Sequence, residues 1–268
     1  MPKRAATGTA GPAGMSGPFD PAVRDYLTEI VRRCRDVVGD DLVGVYAGGS
    51  LALDGYRPGR SDIDVAVVVA DRLDVAAKRS LIAALRHDAL PCPARGLELV
   101  VYRAEVAAAG GTDPAFEVEL NTGARMDFRA TEDPAARPAA DGQFWYAIDR
   151  GILADHGRPI VGPPAATVFT GPGDWELRRL LAESLRWHLH APAAASDDAV
   201  LNACRALCRV RSGRWLAKPV AGAAVRAEPG TLDTGVIRAA FRARDGGPPP
   251  DAASVRRFQQ EVLRLIEG

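Results

Sequence analysis

Residues 62–70, DIDVAVVVA, place the tightest constraint on this chain: a nearly continuous valine-rich run headed by two aspartates at alternate positions. A run this short and this β-branched indicates a central strand covered on both faces. Side chains alternate along a strand, so Asp62 and Asp64 are expected to project to one face, about 7 Å apart along the chain. Burying one acid is costly without compensation, and a like-charged neighbour adds to the cost. A divalent cation that neutralises both acids is the best explanation. Oxygen-only ligands suit Mg²⁺ or Mn²⁺, and Mg²⁺ usually binds one or two carboxylates together with substrate phosphates.

The segment ahead of the acids supplies a complement. DLVGVYA (41–47) reads as another strand, and Gly48-Gly49-Ser50 breaks it. Gly49 permits close backbone approach, and Ser50 offers a hydroxyl and an N–H at an expected helix N-terminus, which together make an anion site. A phosphate cradle followed by metal-binding acids points to phosphoryl or nucleotidyl transfer. Glu98, in LELVV, extends the pattern on a strand expected to lie beside the aspartate strand. Flanked by Leu97 and Leu99, it should have a raised pKa and serve as a proton acceptor near neutral pH. Ligation of a second metal ion is the other role open to it. Asp-x-Asp or Gly-Gly-Ser alone is common; the specific signal is their order, with an acid on the next strand. Glu117 and Glu119, in FEVEL, are expected on a solvated face.

Further signals set the organisation. Asp20-Pro21 is a strong helix start, and that helix should run to about Val38 and stop at Gly39. A helix is expected from Asp74 to about Leu85, strands over 97–104 and 114–123, an Ala/Pro-rich loop over 129–140, and a helix over 144–157. Beyond Gly162-Pro163-Pro164 the texture changes to apolar residues at three- and four-residue spacing. The expected fold is therefore α+β: a mixed-sheet domain over 19–165, then an all-α helical bundle over 166–268, preceded by a disordered tail over 1–18.

Composition narrows the partners. Lys plus Arg and Asp plus Glu stand at 34 each, whereas a protein that tracks a polyanion usually shows a basic excess. Nucleic acid is thus disfavoured and a small-molecule substrate favoured. The N-terminus lacks the apolar segment of a signal peptide and no run is long enough to span a membrane, so a cytoplasmic protein is expected. Cys204 and Cys208 share a helix face as small apolar residues, not as a metal pair. None of the four histidines is expected to be catalytic.

Taken together, these residues resemble the nucleotidyltransferase superfamily, and more closely the aminoglycoside adenylyltransferases that modify streptomycin and spectinomycin. The resemblance covers most of residues 22–245. It is carried by VYAGGSLALDGYRPGRSDIDVAVVV, with a one-residue longer loop, by IVGPPAATVF (160–169), and by AVLNACRALCRVRSGRWLAKPVAGAAV (199–225). It implies a nucleotidyltransferase sheet domain plus a helical domain, with Mg²⁺, ATP and the antibiotic held between them. Asp62 and Asp64 then correspond to the Mg²⁺ ligands and Glu98 to the catalytic base. Gly49, Ser50 and Ser61 correspond to the nucleotide-binding turn and its polar contacts. Arg209 and Lys218 correspond to cations that reach the phosphates from the helical domain. Asp197 and Asp198, with Glu183, are the acids expected to meet a cationic acceptor. The stretch just ahead of the arginine-bearing helix, APAAASDDAV, holds no tryptophan (Trp187 lies earlier), and none occupies NTGARMDF, so the family's flat aromatic platforms are expected to be missing and spectinomycin is favoured over streptomycin. The implied partners are ATP and a small-molecule acceptor, with the chain acting as a monomer. Two alternatives stay open: transfer to another small hydroxylated metabolite, or a non-catalytic nucleotide-binding regulatory module.

Overall fold

The computed structural model describes residues 19–190, 196–228, 230 and 232–268; the tail expected over 1–18 lies outside them. Helix α1 (Pro21–Val38) begins where the sequence signals it. Asp20 caps it by accepting a hydrogen bond from the Ala22 N–H at 3.0 Å, and Gly39 stops it. A six-stranded sheet follows, formed by β1 (Leu42–Ala47), β2 (Ile63–Val69), β3 (Leu97–Arg103), β4 (Val118–Gly123), β5 (Met126–Thr131) and β6 (Arg158–Val161), in the spatial order β5-β4-β3-β2-β1-β6. Among the described residues only β2 and β3 run parallel; the other neighbouring pairs are antiparallel. The parallel pair needs a crossover, which α3 (Val75–Leu85) provides.

The sheet's two faces are read directly from the period of two. Val65, Val67 and Val69 of β2 and Leu97, Leu99 and Val101 of β3 pack against α1 and α3. Ala66, Val68 and Tyr102 belong to the opposite core, with Tyr146 and Leu153 of α5 (Phe144–His156). Asp64 and Glu98 share the parity of this second face, so both acids point toward α5.

The chain then forms α6 (Asp174–His190), α7 (Asp197–Ser212), α8 (Lys218–Ala227), α9 (Thr234–Arg244) and α10 (Ala252–Glu267). The architecture is α+β, a mixed sheet with helices followed by an all-helical region. Helix α5 serves both halves. Ala147, Ile148 and Ile152 join the helical core, while Tyr146 and Leu153 face the sheet. The helical core therefore reaches back across residue 165. Two strands were not expected: β5, which runs into the anticipated loop over 129–140, and β6, which lies between the expected helix over 144–157 and the joining segment and overlaps the latter's start. Both are edge strands, and β6 carries Pro159, which an edge tolerates because it donates to no ladder.

Arg150 fixes α5 to the sheet. It is 1% exposed, donates to the carbonyls of Gly111 (2.9 Å), Asp113 (2.7 Å) and Pro114 (3.3 Å), and lies over the Tyr102 ring. Arg150→Met removes these donors from a buried position and leaves the carbonyl of buried Pro114 unpaired, so urea unfolding should show a loss of about 2–4 kcal/mol.

Candidate active site

The register of the parallel pair builds the site. Asp64 stands directly opposite Glu98, and Glu98 opposite Asn121 on β4. Asp62 lies one residue ahead of β2, at the lip of the cleft, where its Oδ2 accepts from Arg95 at 2.9 Å. The sequence expectation put both aspartates on the strand; only Asp64 is within it.

The glycine-serine turn lies against this pair. The Gly48 N–H donates to the Asp64 carbonyl at 2.9 Å. Gly49 has φ +45°, and a Cβ there would fall 1.9 Å from Asp64 Oδ2. The close approach that Gly49 permits is thus to the Asp64 carboxylate. Ser50, in the short helix α2 (Gly49–Ala52), lines the cleft with a buried hydroxyl that has no hydrogen-bond partner. Ser61 also lines it, its Oγ accepting from the Arg57 N–H at 3.0 Å.

Cations approach from the helical half. Lys218, the first residue of α8, lines the cleft and donates to Asp198 at 3.0 Å. Arg205, on α7, also lines it. Arg209, expected there, does not: one turn further along, it pairs with Asp174 at 3.1 Å and lies over the Trp215 ring. Asp198 is in the cleft but is shared between Lys218 and Arg244. Asp197 is outside the lining and engages Arg60 and Arg244, and Glu183 pairs with Arg179 on the surface. The acids expected to receive a cationic acceptor therefore already have counter-charges.

Two expectations are overturned outright. Glu117 and Glu119 are buried, each 4% exposed. Glu117 pairs with Lys78 (2.9 Å) and Arg103 (3.1 Å); Glu119, on the cleft face of β4, pairs with Arg129 (2.9 Å) and Arg137. Nor does the cleft lack aromatic surface. Trp145, Trp187 and His188 all line it, with Trp145 edge-on to Trp187 at 5.8 Å and to His188 at 5.4 Å. The cavity measures about 530 Å³, within the range of small-molecule sites.

The enclosed acids raise one another's pKa. Burial, then Asp62, Glu98 and Asp149, hold the Asp64 carboxyl well above its ordinary range. Burial, Asp62 and Asp149 push Glu98 up to about 7, against the opposing pull of Arg95 and Lys218. This fits the raised pKa expected of Glu98. Burial also pushes Asp149 up to about 6 and draws Arg205 down. An oxygen-only acid pair beside an unsatisfied serine hydroxyl fits Mg²⁺ with a phosphate ligand. Among the described residues no group of three or more His, Cys, Asp or Glu could hold a metal, so such an ion would draw its remaining ligands from substrate and water.

Gly49→Ala should displace the Asp64 carboxylate or strain the turn, lowering stability by about 1–3 kcal/mol in chemical denaturation and weakening Mg²⁺ affinity in calorimetry. Glu98→Gln should stabilise the metal-free protein in a pH-dependent way. A carboxyl whose folded pKa is raised is neutral in both states below about 4.5 and opposes folding increasingly up to about 7. The advantage of the glutamine variant should therefore grow across that window and level off above it, at on the order of 2–3 kcal/mol. Denaturation at a series of pH values, with metal chelated, measures it.

Residues 27–98 match the nucleotidyltransferase domain family, a span that runs from α1 to Glu98. No curated protein matches the chain. Among solved structures, spectinomycin adenyltransferase AAD(9) from Enterococcus faecialis, determined with ATP and spectinomycin, aligns with a TM-score of 0.68 at 16% identity, covering 91% of this chain and 99% of that one. The CD-NTase CdnG of Bradyrhizobium diazoefficiens, in complex with GTP, aligns over 96% and 92% of the two chains at 12% identity, with a TM-score of only 0.26. Residues 27–98 thus carry a nucleotidyltransferase domain, set in a chain that shares the overall fold of a spectinomycin adenyltransferase.

Proposed function

We propose that the protein is a Mg²⁺-dependent adenylyltransferase that moves AMP from ATP to a hydroxyl of a small acceptor of the aminoglycoside or aminocyclitol antibiotic class. The observation that carries this reading is the register of Asp64 against Glu98, with the Ser50 turn and Lys218 facing the same cleft. Asp62 and Asp64 would hold Mg²⁺, which when bound neutralises the acid pair and polarises the phosphate oxygens. Gly49 keeps the Asp64 carboxylate against the turn, and the Ser50 hydroxyl is free to donate to a phosphate oxygen. Glu98 takes the proton of the acceptor hydroxyl as its oxygen attacks the α-phosphorus, a role suited to a carboxyl with a pKa near neutrality. The new O–P bond forms as the bond to pyrophosphate breaks, and Lys218 and Arg205 offset the charge that develops on that leaving group. Arg205 takes this part in place of Arg209 because it is the α7 arginine that lines the cleft. Spectinomycin is the first acceptor to test and is preferred over streptomycin, since the similarly folded AAD(9) was determined with it.

Purified protein with ATP, Mg²⁺ and spectinomycin should release pyrophosphate and yield an AMP adduct visible by mass spectrometry. Glu98→Gln and Asp64→Asn should each lower kcat by about 10²–10⁴-fold, and chelation of Mg²⁺ should abolish turnover. Undiminished turnover in either variant overturns the mechanism. ATP binding with no adduct from a panel of hydroxylated acceptors would favour a nucleotide-binding regulatory module.

A further inference from the structure

The charged groups of the cleft balance almost completely, and the remainder is informative. Asp62 is paired with Arg95, Glu119 with Arg129 and Arg137, and Asp198 with Lys218 and Arg244. Among the described residues four charged groups lining the cleft have no ion pair: Asp64, Glu98, Arg205 and Asp149. The proposed reaction uses the first three. Asp149 is left without a partner or a role.

The setting of Asp149 is specific. Its neighbours on α5, Ile148 and Arg150, are buried at 3% and 1%, so the helix is clamped on both sides and cannot rotate to hide the acid. The carboxylate stays open to the cleft while protein surrounds it at longer range, close enough to Asp64 and Glu98 for its charge to be felt at both. One turn earlier on the same helix face is Trp145. With Trp187 and His188 it forms a corner of three mutually perpendicular rings, the Trp187–His188 pair at 5.2 Å. Burial, with Lys218 and Arg205 nearby, lowers the His188 pKa and keeps this imidazole neutral at pH 7. An unpaired acid beside electron-rich ring faces is the chemistry that holds an organic cation. Arg205 and Arg150 act on the Asp149 charge at longer range, but neither forms a salt bridge with it, so its carboxylate oxygens stay open to a ligand cation.

We infer that Asp149, backed by the corner of Trp145, Trp187 and His188, is the seat for an ammonium or guanidinium group on the acceptor. The acceptor is then a hydroxylated amine, not a neutral sugar or an anion. Its hydroxyl is offered to Glu98 while its positive charge is held by α5. The identity of this cation as an acceptor rests on the adenylyl-transfer reading; its binding does not.

Calorimetry with spectinomycin as the cationic probe, in the absence of ATP and Mg²⁺, separates the two. Asp149→Asn and Trp187→Leu should each weaken spectinomycin binding by about ten-fold or more, the loss of a charge-assisted or cation–π contact. Asp149→Glu, which keeps the charge, should recover part of that loss. Mg²⁺-ATP should bind Asp149→Asn as tightly as the unaltered protein or more tightly, because one negative charge near the phosphates is gone; this also reports that the variant folds. Spectinomycin affinity within about two-fold of the unaltered protein in Asp149→Asn overturns the inference. So does weakened Mg²⁺-ATP binding in its place, or failure of the unaltered protein to bind spectinomycin. If Asp149-dependent binding is found but no AMP adduct forms, the transfer reading fails and the cation seat stands. If AMP transfer to spectinomycin proceeds with an unchanged KM in Asp149→Asn, the seat fails and the transfer reading stands.

Discussion

Two carboxylates abreast on neighbouring parallel strands, Asp64 and Glu98, are the constraint around which the rest of this molecule is arranged. Burial raises the pKa of both, and neighbouring carboxylates add to it: Asp62 and Asp149 act on both acids, and Glu98 also on Asp64. No ion pair within the sheet relieves them. The opposing influence comes from outside: Arg95 on the loop before β3, and Lys218 from the first residue of α8. The site is therefore electrostatically incomplete in the sheet domain alone. This gives a physical reason for the helical half to close over the sheet, because it brings cations to the acids and encloses the space where a phosphate would lie.

Helix α5 makes that closure rigid. One side of it packs on the sheet face that bears the two acids, and the other enters the helical core. Arg150 secures it through three backbone carbonyls. A charged latch adds to this at the cleft's edge. Arg60, two residues ahead of Asp62, reaches Asp197 of α7, and Arg57 donates to the Arg244 carbonyl and to Asp245 after α9. The loop that leads into Asp62 and Asp64 is thus tied to α7, which carries Arg205, and to the end of α9. A shift of the helical half would move both its cleft-lining cations and the lip of the acid pair.

The elements that the sequence made legible are those with strong local signals. The capped α1, the valine-rich β2 and the acid on β3 follow from an N-cap aspartate with proline after it, from β-branching, and from a periodicity of two. The edge strands β5 and β6 were hidden because a short strand exposed on one side carries little apolar pattern. Glu119 looked solvated for a related reason. Alternation shows that a side chain faces one side of a sheet, but not whether that side is later covered, and here Arg129 and Arg137 cover it.

By itself, then, the sequence determined the α+β class, the order of glycine turn, acid pair and third acid, and a shift to helix in the C-terminal part. These are local or periodic properties, decided by backbone preference and by which side chains alternate. Only the tertiary structure decided which charges meet. Arg205 and Arg209 both lie on α7, separated by one turn, and nothing in their spacing tells which enters the cleft; the packing of α7 on α8 and α10 does. Trp145 and Trp187 are far apart in the chain and form one wall because α5 and α6 are neighbours. Asp197 and Asp198 looked available until the fold placed Arg60, Arg244 and Lys218 beside them. Charge pairing is a property of three-dimensional proximity, so the sequence could name the acids that the cleft gathers but not which charged groups the fold leaves unpaired.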